Sequence, residues 1–224
     1  MPYKDPEKQK EYLREHYKRN KKEYQLKAKK LREDRQTKLR QLKCEAACCI
    51  CGEDDPRCLD FHHRDPKEKN FGITTAVRDR VAWDTILEEI QKCDLICANC
   101  HRKGHANSVP SGRLKKGNRS PQYEQNKRRI ERARQFIKQV RGNSKCKNCG
   151  ESRPECLDFH HRHGKDFTIS KLVVRKATIP KLKEAIARCD VLCANCHRIE
   201  HGGNIWEQDS NVKRNTKTNE ERTD

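Results

Sequence analysis

Two stretches of the chain carry the same ordered set of sulfur and imidazole side chains. In the first they are Cys48, Cys51, His62, His63, Cys97, Cys100, His101 and His105. In the second they are Cys146, Cys149, His160, His161, Cys193, Cys196, His197 and His201. Each opening C-x-x-C pair is followed by L-D-F-H-H-R and then by C-D-[LV]-[IL]-C-A-N-C-H-R-x-x-H. The copies are offset by 98 residues at the first cysteine pair and by 96 at the second, so one copy has lost two residues near Asp65-Pro66. Soft thiolates and imidazoles recurring at fixed spacing point to metal chemistry performed twice, and the duplication marks the residues that matter.

The cysteines and histidines call for different metals. Cys48, Cys51, Cys97 and Cys100 make two knuckles far apart in sequence, the arrangement of a tetrahedral structural zinc site. Cys146, Cys149, Cys193 and Cys196 repeat it, giving one structural zinc per module. Cys44 and Cys49 have no counterparts and read as incidental. The duplicated pairs Cys58/Cys156 and Cys93/Cys189 read as small buried apolar residues. With the zinc shell filled by sulfur, the histidines need another role. His101 and His105 lie four apart on an expected helix and share a face. His62 and His63 close an expected strand from Leu59 to Phe61 and point to opposite sides. One of that pair can join His101 and His105 around a second metal, leaving the other as a base. Three imidazoles with open coordination positions describe a catalytic ion rather than a closed structural one. The plainer alternative makes some histidines extra zinc ligands or helix caps.

The elements that must position these residues are legible in outline. Asp5-Pro6 opens a basic helix that runs to Lys43, with a thin apolar stripe at Tyr17, Tyr24 and Leu31 widened by Leu13, Ala28, Leu39 and Leu42. That stripe is too thin for a core of its own. Residues 106–119 read as a flexible basic linker. Ser120-Pro121 opens a second helix and Gly142-Asn143 closes it. Its face Ile130, Ala133, Ile137 and Val140, with Phe136 beside it, is core; Arg128, Arg129, Arg132, Lys138 and Arg141 are offered to phosphates. Trp83, Ile86, Leu87 and Ile90 predict a short helix in the first module, and Ile179, Leu182 and Ile186 its counterpart in the second. Phe71-Gly72-Ile73 and Phe167-Thr168-Ile169 read as short buried strands or loop anchors, and 205–224 as a disordered polar tail.

Charge and composition bound the function. The net charge of +19 is concentrated in residues 1–43, with 16 Lys/Arg against 7 Asp/Glu, and in residues 106–145, with 12 against 2. Both runs lead into a metal unit, which suggests a grip on a polyanion, most simply nucleic acid. No apolar run approaches a membrane span and Met1 to Lys30 lacks a signal-peptide core, so a soluble protein of the reducing cytoplasm is expected. Fourteen cysteines there argue for metal rather than disulfides.

The repeated pattern resembles the HNH endonucleases, specifically the zinc-ribbon-bearing type common in bacteriophages and mobile elements. The resemblance covers residues 48–105 and 146–201. It implies a small α+β protein of two tandem ββα-metal (HNH) zinc-stabilised modules joined by basic helical segments. The divisions would be a basic helical DNA-binding extension at 1–43, modules at 44–107 and 146–204, a basic linker and amphipathic helix at 108–145, and a tail at 205–224. It further implies DNA as partner, in a bacterial or phage-infected cell, with no obligatory protein partner evident. By the same resemblance His63 and His161 are general bases. His62, His101 and His105, and likewise His160, His197 and His201, hold one catalytic divalent ion per module: magnesium, manganese, nickel or zinc. The family's middle asparagine usually precedes the zinc knuckle, where this chain has Asp94 and Asp190; Asn99 and Asn195 lie inside it. Either pair could orient the base. Asp60 and Asp158 are candidate secondary ligands.

Three rivals are distinguishable. C-A-N-C-H is also a c-type haem attachment motif, but that gives no role to the upstream C-x-x-C or the double histidine. Disulfide scaffolding conflicts with ligand spacing. A non-catalytic zinc-stabilised nucleic-acid-binding protein is the serious alternative, and it has no reason to keep the double histidine in both copies. Two complete sites in one chain raise the cutting of both strands by a monomer.

Overall fold

The computed structural model describes residues 5–106, 120–162 and 168–202. Residues 107–119 of the expected linker, Phe167 and the expected tail at 205–224 lie outside them. Among the described residues the protein is small and α+β, with eight α-helices and two two-stranded antiparallel sheets. In chain order the elements are α1 (Pro6–Cys44), β1 (Leu59–His63), α2 (Ile73–Arg78), α3 (Trp83–Ile90), β2 (Cys93–Cys97), α4 (Ala98–His105), α5 (Pro121–Gly142), β3 (Leu157–His161), α6 (Ile169–Val174), α7 (Ile179–Ala187), β4 (Cys189–Cys193) and α8 (Ala194–His201). β1 pairs with β2, and β3 with β4. The chain packs as two compact units, one up to residue 45 together with 61–94, the other 46–60 together with the residues from 95 onward.

In the first unit, Asp5 caps α1 by accepting the Glu7 N–H at 2.9 Å, with Pro6 at the first helical position. The stripe that the sequence offers does little packing: Leu13, Tyr17, Tyr24 and Leu31 are exposed. Only near its C-terminal end does α1 meet a core, where Leu39 packs with Phe61, Phe71, Trp83 and Ile90 around Ile73, Ala76, Val77 and Ile86. Of the two readings of Phe71-Gly72-Ile73, the loop anchor holds for Phe71, which packs on this core from a loop, and the strand needs correction. Ile73 begins α2, because Ile73, Ala76 and Val77 fall three and four apart and bury one face. α6 repeats this with Ile169, Leu172 and Val173.

In the second unit, Ser120 caps α5 by accepting the Tyr123 N–H at 3.2 Å. The expected apolar face of α5 is core: Ala133 is buried with Phe159, Leu172 and Leu182, and Ile130, Phe136, Ile137 and Val140 pack around them. β3 runs two residues beyond the expected strand end, taking in both histidines, with His160 opposite Asp190 and His161 opposite Cys189. Successive strand residues face opposite ways, so this register separates the two imidazoles.

Candidate metal centres

Two sets of four sulfurs could each hold a zinc ion. The Sγ atoms of Cys48, Cys51, Cys97 and Cys100 lie within 4.8 Å of one another, as do those of Cys146, Cys149, Cys193 and Cys196. Cys51 to Cys97 and Cys149 to Cys193 both measure 3.6 Å. A tetrahedral zinc about 2.3 Å from each sulfur sets them about 3.8 Å apart, so the donors fit. In the second set a bond from the Cys196 thiol, opposed by burial and aided by Asn99 Nδ2 at 3.2 Å, draws Cys193 down to about 4. The same bond pushes Cys196 up, and burial pushes Cys149 up, so without an ion Cys193 is the sulfur of the set that is drawn toward the thiolate.

The backbone builds each set from a turn and a helix start. In the turn, the Gly52 N–H donates to the Cys48 carbonyl at 2.9 Å and the Cys48 N–H to the Glu53 carbonyl at 2.8 Å. The Gly150 turn repeats both bonds at 3.0 and 2.8 Å. Closing the turn puts Gly52 at φ +74° and Gly150 at φ +75°, the left-handed region. In the helix start, the Cys97 and Cys193 sulfurs cap α4 and α8, accepting the Cys100 and Cys196 N–H groups at 3.4 Å. The sequence reading took the cysteines and passed over these glycines, although C-x-x-C-G is common to both copies. An added methyl at Gly150 meets nothing within 4 Å. Gly150→Ala is therefore expected to cost only the backbone strain, about 1 kcal/mol, read as a lower urea midpoint in zinc-loaded protein.

Histidines form a different kind of donor set in the second copy. His160 comes from β3, and His197 and His201 from consecutive turns of α8; their ligand nitrogens lie within 4.8 Å of one another. His197 Nε2 and His201 Nε2 are 3.2 Å apart. Two nitrogens about 2.1 Å from one ion would sit about 3.0–3.4 Å apart, depending on the bond angle, so these imidazoles could share a metal. His201 is exposed, which leaves that side open. His197 Nδ1 sits 3.3 Å from Asp158 Oδ2, so the carboxylate accepts the Nδ1–H and leaves the lone pair on Nε2, the nitrogen beside His201. Burial pushes the Asp158 carboxyl up, but bonds from His197 and Arg102 outweigh it and hold it well below the usual carboxylate range. In the first copy the His101 and His105 rings lie 5.0 Å apart between centres, tilted by 52°, and His101 Nδ1 meets Asp60 Oδ2 at 3.2 Å. His62 occupies on β1 the place that His160 occupies on β3. Asp60 and Asp158 thus stand behind the histidines, not among the donors.

The two candidate bases sit in unlike surroundings. His63, only 9% exposed, places Nε2 2.9 Å from Glu89 Oε1. Glu89 also accepts from Lys92 Nζ at 2.8 Å and from the Asn70 and Phe71 N–H groups at 2.7 and 3.3 Å. Burial pushes its carboxyl up, and these bonds together hold it down at about 2. Glu89 escaped the sequence reading; its signal was a charge one turn beyond Ile86 on the apolar face of α3. The offset of 96 puts Ala185 at the equivalent position. His161 is half-buried and has no hydrogen-bond partner among the described residues.

Among the described residues, neither pair considered for orienting the base is shown hydrogen-bonded to it. Asn99 and Asn195 are buried against each other: the Asn99 N–H donates to Asn195 Oδ1 at 3.0 Å and the Asn195 N–H to Asn99 Oδ1 at 3.4 Å. Asn195 Nδ2 continues to Glu53 Oε2 at 3.1 Å. Their place inside the knuckle explains this, since the two knuckles pack face to face within the second unit. Asp94 pairs with Arg64, and Asp190 with Lys147 and Arg162. Cys58 and Cys156 are fully buried, as expected, and their thiols donate to the Asn195 and Asn99 carbonyls at 3.6 Å.

Of the basic residues on α5, Arg128, Arg129, Arg132 and Lys138 are exposed. Arg141 is not free for phosphate. Its guanidinium lies 5.5 Å from the Phe159 ring centre and 3.8 Å from Asp158 Oδ1, because it follows Ile137 by four and shares the buried face. Among the described residues no helix is long and apolar enough to cross a membrane. No protein-family model matches the chain, and no curated protein or solved structure is significantly similar to it.

Proposed function

We propose that the protein is a metal-dependent HNH-type DNA endonuclease with two tandem ββα-metal modules. What carries the reading is the pairing, in one module, of a closed four-cysteine set with an open three-histidine set whose central imidazole is backed by a carboxylate. A closed sulfur set suits a structural ion and an open nitrogen set a working one. By the duplication, His62, His101 and His105 are the sequence counterparts of His160, His197 and His201. A divalent ion held there supplies positive charge to the phosphate and to the departing oxygen. His63 and His161 take the proton of the attacking water, the task of a positioned general base. Asp60 and Asp158 fix the tautomer of the metal-facing histidines. Arg128, Arg129, Arg132 and Lys138 grip the phosphate backbone. Replacing Arg128, Arg129 and Arg132 by alanine is expected to flatten log affinity against log salt by about 0.9 per lost contact, with little effect on sequence preference.

The test is cleavage of supercoiled plasmid by protein whose cysteine sites are zinc-filled, with and without added magnesium, manganese, nickel or zinc, beside His197→Ala/His101→Ala. Ion-dependent nicking or linearisation that the variant loses is the expected result. Binding without cutting under every ion would replace this reading with that of a zinc-stabilised nucleic-acid-binding protein.

A further inference from the structure

Each carboxylate that backs a metal-facing histidine is gripped by an arginine of the other copy. Arg198 on α8 donates to Asp60 through two parallel bonds, Nη1 to Oδ1 at 3.0 Å and Nη2 to Oδ2 at 2.8 Å, and through Nη1 to the Cys58 carbonyl at 3.1 Å. Arg102 on α4 donates to Asp158 Oδ2 at 2.7 Å and to the Cys156 carbonyl at 3.3 Å. The arrangement is crossed. Arg102 follows His101 in the chain yet serves the aspartate behind His197, and Arg198 follows His197 yet serves the aspartate behind His101. Asp158 Oδ2 accepts from Arg102 and from His197 at once, so the guanidinium decides where that oxygen points. The same construction occurring twice, through non-equivalent atoms of one chain, is independent support from each half.

We propose that Arg102 and Arg198 are positioning residues that act across the copies, each setting the orientation of the other module's metal-binding histidine. The inference rests on the reading of the histidine triads as metal sites. Without its arginine the oxygen that faces the histidine loses its charged donor, although Arg141 still lies 3.8 Å from the other oxygen of Asp158, and the tautomer of the histidine is held less firmly. Loss of such a partner typically weakens metal binding 10- to 100-fold. The prediction is directional: damage to α4 itself would first harm His101 and His105, which α4 carries, whereas the positioning role harms the triad at His197.

Nickel binding to the full-length, zinc-filled protein, followed by titration calorimetry, separates these cases without reference to cleavage. His105→Ala leaves only the second triad intact and His201→Ala only the first. Arg102→Ala is expected to weaken nickel binding about 10- to 100-fold in the His105→Ala protein and to leave it within about threefold in the His201→Ala protein. Arg198→Ala gives the reverse. Arg102→Gln and Arg198→Gln, which keep length and one donor, should show the same direction with smaller losses should either alanine variant fail to fold. Equal losses at both triads, a loss at the triad on the mutated helix, or no loss at all overturns the proposal. A parent protein that takes up no nickel at its histidines overturns the metal reading itself, and the proposal with it.

Discussion

Replacing His63 and His161 together by alanine is expected to reduce plasmid cleavage about 100- to 10,000-fold, the range that a positioned general base contributes. Plasmid binding should be unchanged, because neither side chain belongs to the basic surface of α5. The single variants should differ. His63 has Glu89 at 2.9 Å to fix its ring, and His161 has Ala185 at the corresponding place. A base oriented by a third group is held in the attacking geometry, and one without it samples others. His63→Ala should therefore cost more than His161→Ala, and Ala185→Glu should speed the second module. If each module takes one strand, both single variants accumulate nicked circles on a gel. Full linearisation by either one would reject the division of labour.

Zinc removal is expected to unfold the protein, and to do so in one step. Structural zinc contributes about 10–16 kcal/mol of apparent binding free energy in small zinc modules, against a total stability of about 5–15 kcal/mol for an ordinary domain. A chain that is 32% hydrophobic, with modules of about 60 residues, has no apolar reserve to replace it. The knuckles are also joined: Asn99 of the first copy donates to Cys193 Sγ of the second at 3.2 Å, and Asn99 and Asn195 each donate the backbone N–H to the other's side-chain oxygen. Cys193→Ser should then loosen the first zinc as well as the second. Helix content by circular dichroism, recorded while a coloured chelator reports zinc release, checks both points. Two separate release steps, one retaining half the helix, would sink the idea of a shared knuckle pair.

The residue groups that could hold metal were legible because ligand chemistry is carried by residue type and spacing, and the duplication removed Cys44 and Cys49 from consideration. Long helices were legible too: Asp5-Pro6 and Ser120-Pro121 are caps whose chemistry is local. The helices α2 and α6 were not, since six residues give too few periods to separate a helix from a buried strand. Glu89 was hidden because its meaning depends on where β1 ends in space. The roles of Asn99, Asn195 and Arg141 were hidden for a related reason. Each lies in a segment whose local pattern suggested one partner, while packing from elsewhere in the chain supplied another. Nothing in the spacing of His101-Arg102 or His197-Arg198 announces that neighbouring residues serve opposite copies.

The reciprocal bond between Asn99 and Asn195 has the form of a twofold contact, in which each side presents the other with the same group. In a dimer of identical chains, every substitution appears on both sides of such a contact at once, so neither half can change alone. Here the two halves share one backbone, and the symmetry is free to decay one residue at a time. Ala185 opposite Glu89 in the alignment, and the two-residue deletion after the second double histidine, are departures that a symmetric pair would have to make twice. Fusion has turned a constraint on the pair into a licence for one half to specialise.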